Sequence, residues 1–533
     1  KLSKYERKLF ELFVSTNNNF KTYNEIEFHL FNNCEENTKK LRNLILNGLR
    51  FAYGKKAQEE LLKAIPEDRR EKLRSSSIND LLSNNTQLFF IDLRNILNKN
   101  WDKFSNVLHD FEKVKFLMIL DDLNKYRVDA HAKDIDETDF KALVKEIEAQ
   151  EGYRKPIAFG IARVDRGQLN PEKILQATFP VINWNENFGS AAILIAALQE
   201  SGVDVDFTSS EFVYDVKKKF VKNAMNAFTP YLNQAIGEAH KNVQVIKTLD
   251  WIAQTEKLKK DFRIVFLFED AAPLSPEAVY LKLYALSTGK APLRSLNLSG
   301  AFSVLENVAW SLGQPIELAW LRMHEVELKL RGEYPTIESV DKFPRYLSHI
   351  IPADNTRVLD ASKVRMGAQL HAGTTIMPGA SYVNFNAGTT GAVMVEGRIS
   401  SSVVVGKGSD VGGGASILGV LSGTNGNPVS IGENTLLGAN SVTGIPLGDG
   451  CIVDAGIAIL EGTKIGVSGV ELAKISEANP KAKLKKAGTD ELVFFKGLEL
   501  AGLNGIHFRQ NSVNGMIVAT RSKREIKLNS ELH

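Results

Sequence analysis

Cysteine is almost missing: of 533 residues only Cys34 and Cys451 carry a thiol, and they lie far apart in sequence. Two such thiols build neither a disulfide framework nor a cysteine metal cluster. Long apolar runs are absent too. No stretch approaches the ~20 residues that span a bilayer, and no secretory leader pattern is present, so a cytoplasmic protein without a membrane partner is expected. Charge of one sign is not in excess: the formal net charge is +3, which gives no field to draw nucleic acid or a membrane surface. Glycine is scarce in one region only, since of 40 glycines Gly48 and Gly54 alone precede residue 138. Between residues 138 and 352 there is neither a G-x-G-x-x-G nor a Walker motif, which excludes those nucleotide fingerprints. The chain opens at Lys1 rather than Met, as a processed, truncated or engineered chain would.

What is present is a globular composition, 43% hydrophobic and 24% charged, at a length that fits three or four domains. Residues 1–137 read as all helical, with Phe10, Leu12 and Phe13 near the start and DFEKVKFLMILDDLNKYRV later. Their 24 Lys and Arg nearly cancel 22 Asp and Glu, so this is no basic nucleic-acid arm. FIDLRNILNKNWDKFSNVL followed by LNKYRVDAHAKDI resembles the end of a HEPN-like helical domain. In that superfamily an Arg and a His on one helix face form a ribonuclease site, which the resemblance would place at Arg127 and His131. Four apart, the two share a face, but three intervening residues are fewer than the usual four to six. The plainer reading is a local polar cluster with Asp129. HAKDIDE then runs into TDFKALVKEIEAQEGY without a Gly, Ser or Pro linker, as in a helix-to-helix fusion, natural or built.

Residues 138–352 mix strands and helices. PIAFGIARVD and FRIVFLFED read as buried strands. SAAILIAALQESG and PEAVYLKLYALSTG read as helices that end at Gly202 and Gly289, the second with Pro276 in its first turn. An α/β domain is expected here.

From Val358 to Ile465 the apolar residues recur in steps of six: Val358, Val364, Leu370, Ile376 and Tyr382; Ile399, Val405, Val411 and Ile417; Ile431 and Leu437; Leu447, Val453, Ile459 and Ile465. Small residues and turn formers fill the gaps, as in GKGSD, GGGAS and GANSV. Such hexapeptide repeats give one short strand and one turn per unit, three units closing one coil of a left-handed-type parallel β-helix. The expected architecture is therefore multidomain: a helical domain at 1–137, an α/β domain at 138–352, the β-helix at 353–466 and a C-terminal extension at 467–533. A coil wall of small residues offers backbone amides to a long thin ligand lying between subunits, and solenoid flanks pack as closed cyclic trimers.

In this wall the only positive charges from Ala368 to Thr463 are Arg398 and Lys407, so Glu396 and Arg398 in VEGRISS stand out. In a mainly apolar cleft a carboxylate's pKa rises, which suits a general base or nucleophile. An Arg suits a substrate carboxylate held bidentately. A surface ion pair on a turn explains the two equally well.

Longer blocks narrow the choice. VDKFPRYLSHIIPADNTRVLDASKV, VNFNAG followed by MVEGRIS, LLGANSVTGIPLGDGCIVDAGIAILEGT and GLNGIHFRQNSVNG resemble the tetrahydrodipicolinate N-succinyltransferase family in its longer type, from about residue 138 onward. The resemblance implies succinyl transfer from succinyl-CoA to the amine of L-2-tetrahydrodipicolinate in lysine and diaminopimelate synthesis, by a homotrimer with no permanently bound cofactor. It implies that Glu396 is the catalytic glutamate, as base or as carrier of a transient acyl-anhydride, and that the backbone of Gly419 lies near the thioester. It further implies that Arg398, Gly413, Ser416, Ala439, Asp454, Ala455, Gly462 and Lys496, with Arg509, Gln510, Asn511 and Ser512, hold the substrate and CoA. Some relatives bind Mg²⁺ near the first coils; Ser362 and the PGAS stretch at 378–381 stand there, so no metal site is expected. His371, lone on a coil, reads as packed or solvent-facing. The competing readings are a HEPN-type ribonuclease or effector, in which the β-helix only trimerises, and a display chimera.

Overall fold

The computed structural model describes residues 34–82, 88, 90–104, 113, 116–117, 120, 137–232, 234, 239–255, 261–420, 426–485, 487–489 and 491–523. The chain divides into two compact units, Lys1–Phe140 with Met225–Lys257 and Lys141–Ala224 with Leu258–His533. Arg127 and His131, like Phe10, Leu12 and Phe13, lie outside the described residues.

In the first unit, helix α1 (Cys34–Tyr53) buries Leu41, Ile45 and Leu49, four apart and so on one face. They share a core with Leu93, Ile96 and Leu97 of α2 (Phe90–Lys99) and with Leu61, Leu73 and Phe104. Gly48 is required at that contact: a Cβ there would stand 2.1 Å from the Phe104 ring. Arg69 grips Asp92 through two hydrogen bonds of 3.1 and 3.0 Å, tying the helix Glu67–Leu73 to α2.

The second unit opens with an antiparallel sheet. β1 (Ala158–Arg166) pairs with β2 (Ile174–Thr178), β3 (Ile182–Trp184) and β5 (Phe262–Leu267), and β5 with β4 (Glu211–Asp215). Both buried strands expected from their apolar runs form. The sheet, however, lacks the parallel pairing that alternating strands and helices would give. Helix α3 (Pro276–Ser287) starts where the Ser275 hydroxyl accepts from the Ala278 amide and stops before Gly289 at φ +72°. Everything from Glu277 to Ser287 is buried. Its one lysine, Lys282, spends all three ammonium protons on Asp270 Oδ1 and the Ala271 and Asn297 carbonyls, as a buried cation must.

A polar chain crosses this core. Tyr284 and Nδ1 of His349 are 2.8 Å apart, His349 Nε2 reaches Gln176 Oε1 at 3.1 Å, and Gln176 Nε2 donates to Asp165. Burial lowers the His349 pKa to about 4, so its ring is neutral and Tyr284 donates to it. An unfolded histidine takes its proton near pH 6.5. Between there and about pH 4 the unfolded chain binds the extra proton, so stability is full above the window and falls through it, by at most about 3 kcal/mol. Urea unfolding of His349→Gln is expected to show a shallower loss between pH 7.5 and 4.5 than the parent chain.

Beyond this lies the coil, built as three parallel ladders. The first face stacks Arg357–Val358, Thr375–Ile376, Met394–Val395, Asp410–Val411, Leu436–Leu437 and Ile452–Val453. The second stacks Tyr382–Val383, Arg398–Ile399, Ser416–Ile417, Val442–Thr443 and Ala458–Ile459. The third stacks Gly388–Thr389, Val404–Val405 and Ser430–Ile431. In nearly every pair the second residue points inward, giving a core that includes Ile376, Val395, Ile399, Val405, Val411, Ile417 and Val453. One anchor slips. Val383 is fully buried and Tyr382 only partly, because Met377–Ser381 puts one residue more than the period between the strands. Arg294 ties the preceding domain to the coil: its guanidinium donates to the Ser402 and Val429 carbonyls and to Ser430 Oγ, at 2.6, 2.6 and 2.9 Å.

The tail continues the first face. Ile506–Gln510 runs parallel beside Ile452–Val453 and folds back antiparallel on Ile517–Arg521. Lys464–Ser468 pairs with Leu492–Lys496.

Candidate active site

The edge where the first face turns into the second carries a stack of corners. Glu396 and Gly397 form one, Gly412–Ala415 the next, Gly438–Ser441 the third and Asp454–Ile457 the last. Each corner hangs on the one after it by backbone bonds: Glu396 N to Val411 O, Gly412 N to Leu437 O, Gly438 N to Val453 O and Asp454 N to Phe508 O, all between 2.8 and 3.0 Å. So Glu396, Gly413, Ala439, Asp454 and Ala455, spread over 60 positions of sequence, lie in one line along the coil.

The Glu396 corner is the short one, with two residues between strands where the next has four, and its side chain there is partly buried. Gly413 lies beside the carboxylate: a Cβ added there would meet Glu396 Oε2 at 3.6 Å. Glycine thus leaves the carboxylate an open flank. Arg398 begins the second-face strand, exposed, and its Nη2 donates to Ser416 Oγ at 2.6 Å, on the neighbouring strand. The surface ion pair that sequence allowed between Glu396 and Arg398 does not form. Carboxylate and guanidinium remain separate tools, one at the edge and one on the face.

Gly419 follows the Ser416–Ile417 strand and so lies at the far edge of the same face from Glu396. It is buried, and a Cβ would come within 3.0 Å of Ser400 Cβ and Ser401 O. Exposed Gly462 and Lys496 come together near the start of the Lys464–Ser468 hairpin, whose first rung is Lys464 opposite Lys496. Arg509, Gln510, Asn511 and Ser512 form the tip of the 506–521 hairpin. There Gln510 Nε2 donates to Gly515 O and Asn511 Oδ1 accepts from the Val513 amide.

Asp454 joins the tip to the edge. Its carboxylate accepts from Arg509 Nε at 3.2 Å and stands 2.6 Å from His507 Nε2. His507 escaped the sequence reading. Period-two alternation in IHFRQ puts His507 and Arg509 on one face of a strand, but the pairing of that strand with Ile452–Val453 across 55 residues leaves no local mark. Ser362 turns its hydroxyl and amide to Asp360, and His371 is exposed.

A line of backbone amides and small residues, the Glu396 carboxylate with an open flank, and a cation at the far end suit a long, thin, anionic acyl carrier and an amine acceptor. Comparisons with known proteins point the same way. The sequence profile described as tetrahydrodipicolinate N-succinyltransferase N-terminal matches residues 138–303, its middle-domain counterpart residues 305–345, and a hexapeptide repeat of succinyl-transferase residues 428–461. The 2,3,4,5-tetrahydropyridine-2,6-dicarboxylate N-succinyltransferase of Sulfurovum sp. (strain NBC37-1) is 70% identical over 394 residues, covering 74% of this chain and 97% of that protein. The Campylobacter jejuni protein of the same name is 59% identical, over 74% of this chain and 98% of its own. A crystal structure described as a putative 2,3,4,5-tetrahydropyridine-2-carboxylate N-succinyltransferase from Campylobacter jejuni superimposes with a TM-score of 0.68 at 57% identity, over 74% of this chain and 99% of that one.

Proposed function

The chain belongs to the tetrahydrodipicolinate N-succinyltransferase family, and from that membership we propose that it moves succinyl from succinyl-CoA to the amine of ring-opened L-2-tetrahydrodipicolinate, in the lysine and diaminopimelate pathway. The observation that carries the reading is the 70% identity over 394 residues, which spans nearly the whole of a relative bearing that name.

The amine nitrogen attacks the thioester carbonyl, the C–N bond forms, the C–S bond breaks, and the thiolate of CoA leaves and is protonated. Three needs follow: a proton acceptor, polarisation of the carbonyl, and positioning. We assign the first to Glu396, supported by its partly buried carboxylate and the open flank at Gly413. The second goes to the Gly419 backbone. For positioning, Arg398 takes a substrate carboxylate, while Ser416, Gly413, Ala439, Asp454 and Ala455 line the CoA path. Gly462 and Lys496 with Arg509, Gln510, Asn511 and Ser512 serve its phosphate-bearing end.

The same reading includes a left-handed coil, a cytoplasmic homotrimer with the ligand groove between copies, and no permanently bound cofactor or metal. The profile match beginning at residue 138 supports a division at 137/138; the same reading sets the other divisions at 352/353 and 466/467. The same reading keeps a separate helical module, HEPN-like, ahead of the transferase.

Release of CoA thiol from succinyl-CoA is the test. It is expected only when tetrahydrodipicolinate is also present, at one thiol per amide formed. A folded protein that releases none with both substrates would overturn the reading.

A further inference from the structure

Helix α4 (Leu318–Arg331) follows the hairpin β6 (Val308–Ser311) and β7 (Gln314–Glu317), which β8 (Ser339–Asp341) completes as a small sheet. It is oddly bare. Of its 14 residues only Leu321 is buried, while Met323, Val326 and Leu330 are 71, 72 and 84% exposed. Ala319 is exposed beside them. These four recur at intervals of four, three and four, the seam of a coiled coil. Written as a heptad, Ala319 and Val326 fall at d, Met323 and Leu330 at a, and Leu321 at f on the opposite side. The helix leans on its own domain by Leu321 and turns an apolar stripe away from it.

The charges flanking the stripe say what covers it. Arg322 falls at g and Glu327 at e, five residues later. In a parallel coiled coil the g residue of one helix faces the e residue five positions on in its neighbour, so copies of this helix set side by side pair Arg322 with Glu327 at each contact. In an antiparallel pair like flanks meet, and Arg322 would confront Arg322 or Lys329. Within its own chain Arg322 has no ion-pair partner among the described residues, and Glu327 meets only Arg331 at the exposed surface. A β-branched residue at d with leucine at a favours more than two strands. Copies related by a rotation axis along the helices are necessarily parallel.

We propose that α4 packs, parallel and in register, against the same helix of neighbouring copies of this chain about a cyclic axis, with Met323, Val326 and Leu330 inside and Arg322 bound to the neighbour's e position. A stripe of less than two heptads does not associate alone, so the contact adds to an assembly held by the coil. The proposal goes beyond the transferase reading and does not depend on activity.

The test uses the full chain with Cys34→Ser; Cys451 is buried. Val326→Cys and, as control, Glu325→Cys, which lies outside the apolar stripe, are each oxidised with copper phenanthroline and run without reductant. In a three-fold assembly one copy is left over, so roughly two thirds of Val326→Cys chains are expected as covalent dimers, and few of the Glu325→Cys chains. Arg322→Glu should cut that yield severalfold, and Arg322→Glu with Glu327→Arg should restore it. If light scattering shows an oligomer but Val326→Cys stays uncrosslinked, or Glu325→Cys crosslinks equally, the helix contact is wrong and the homotrimer reading stands. A monomer would overturn both.

Discussion

Glu396→Gln is expected to lower kcat for succinyl transfer by about a thousandfold, within the 10²–10⁴ range that general-base removal produces, while the KM for succinyl-CoA stays within about twofold and the unfolding midpoint is unchanged. Glutamine keeps the shape of the side chain, and the Glu396 corner is held by its backbone, through the Val411 carbonyl and the Gly414 amide, rather than by the carboxylate. What glutamine lacks is a site for the amine's proton. An effect made in the transition state alone lowers kcat and kcat/KM together, and that is the signature to look for. Equal losses in kcat for Glu396→Gln and for a variant at Arg398, both with raised KM, would instead mean that the carboxylate binds substrate and leaves the proton to another group. A fully active Glu396→Gln would remove the residue from the chemistry.

The line through Glu396 was partly legible in sequence for a physical reason. A coil of fixed circumference imposes a fixed period, so the buried anchors recur by six and the corners must be small. A charge in such a wall is conspicuous, and Glu396 and Arg398 were found that way. Where the circumference is padded the period fails. Met377–Ser381 moves the inward residue from Tyr382 to Val383, and the stretch from Leu418 to Val429 hides the return from Ile417 to Ile431. Contacts between distant strands left no trace at all: the His507–Asp454–Arg509 group joins residues more than 50 apart. In the preceding domain the apolar runs marked strands and helices well, since burial on both faces needs them, but apolar runs do not carry strand direction. The sheet is antiparallel, β1 pairing with β2, β3 and β5. The stripe on α4 lay in the sequence in full view, at heptad spacing. It meant nothing until the structure showed those positions exposed.

The same fixed geometry sets up the largest expected loss of stability. Gly438→Ala should destabilise the folded protein by about 3 kcal/mol or more, read as a fall in the urea midpoint at constant slope, with Gly438→Val worse. The conformation at Gly438 is ordinary; the obstacle is proximity. A Cβ there would stand 2.5 Å from the Ala455 nitrogen, 2.8 Å from the Val453 oxygen and 2.9 Å from the Asp454 carbonyl carbon, all backbone of the next coil. A crowding side chain could swing aside, but this backbone is pinned. Gly438 N donates to Val453 O at 2.8 Å and Gly456 N to Ala439 O at 2.9 Å, so separating the coils breaks ladder bonds. Gly412 is built alike, with the Leu437 oxygen at 2.5 Å, and should respond alike. Gly462 belongs to the same coil but has no atom within 4 Å of the added carbon, so Gly462→Ala should move the midpoint by less than about 0.5 kcal/mol. If both alanines were equally harmless, the coil spacing would have to be soft, and the close stacking that holds Glu396, Gly413, Ala439 and Asp454 in line would not be what positions them.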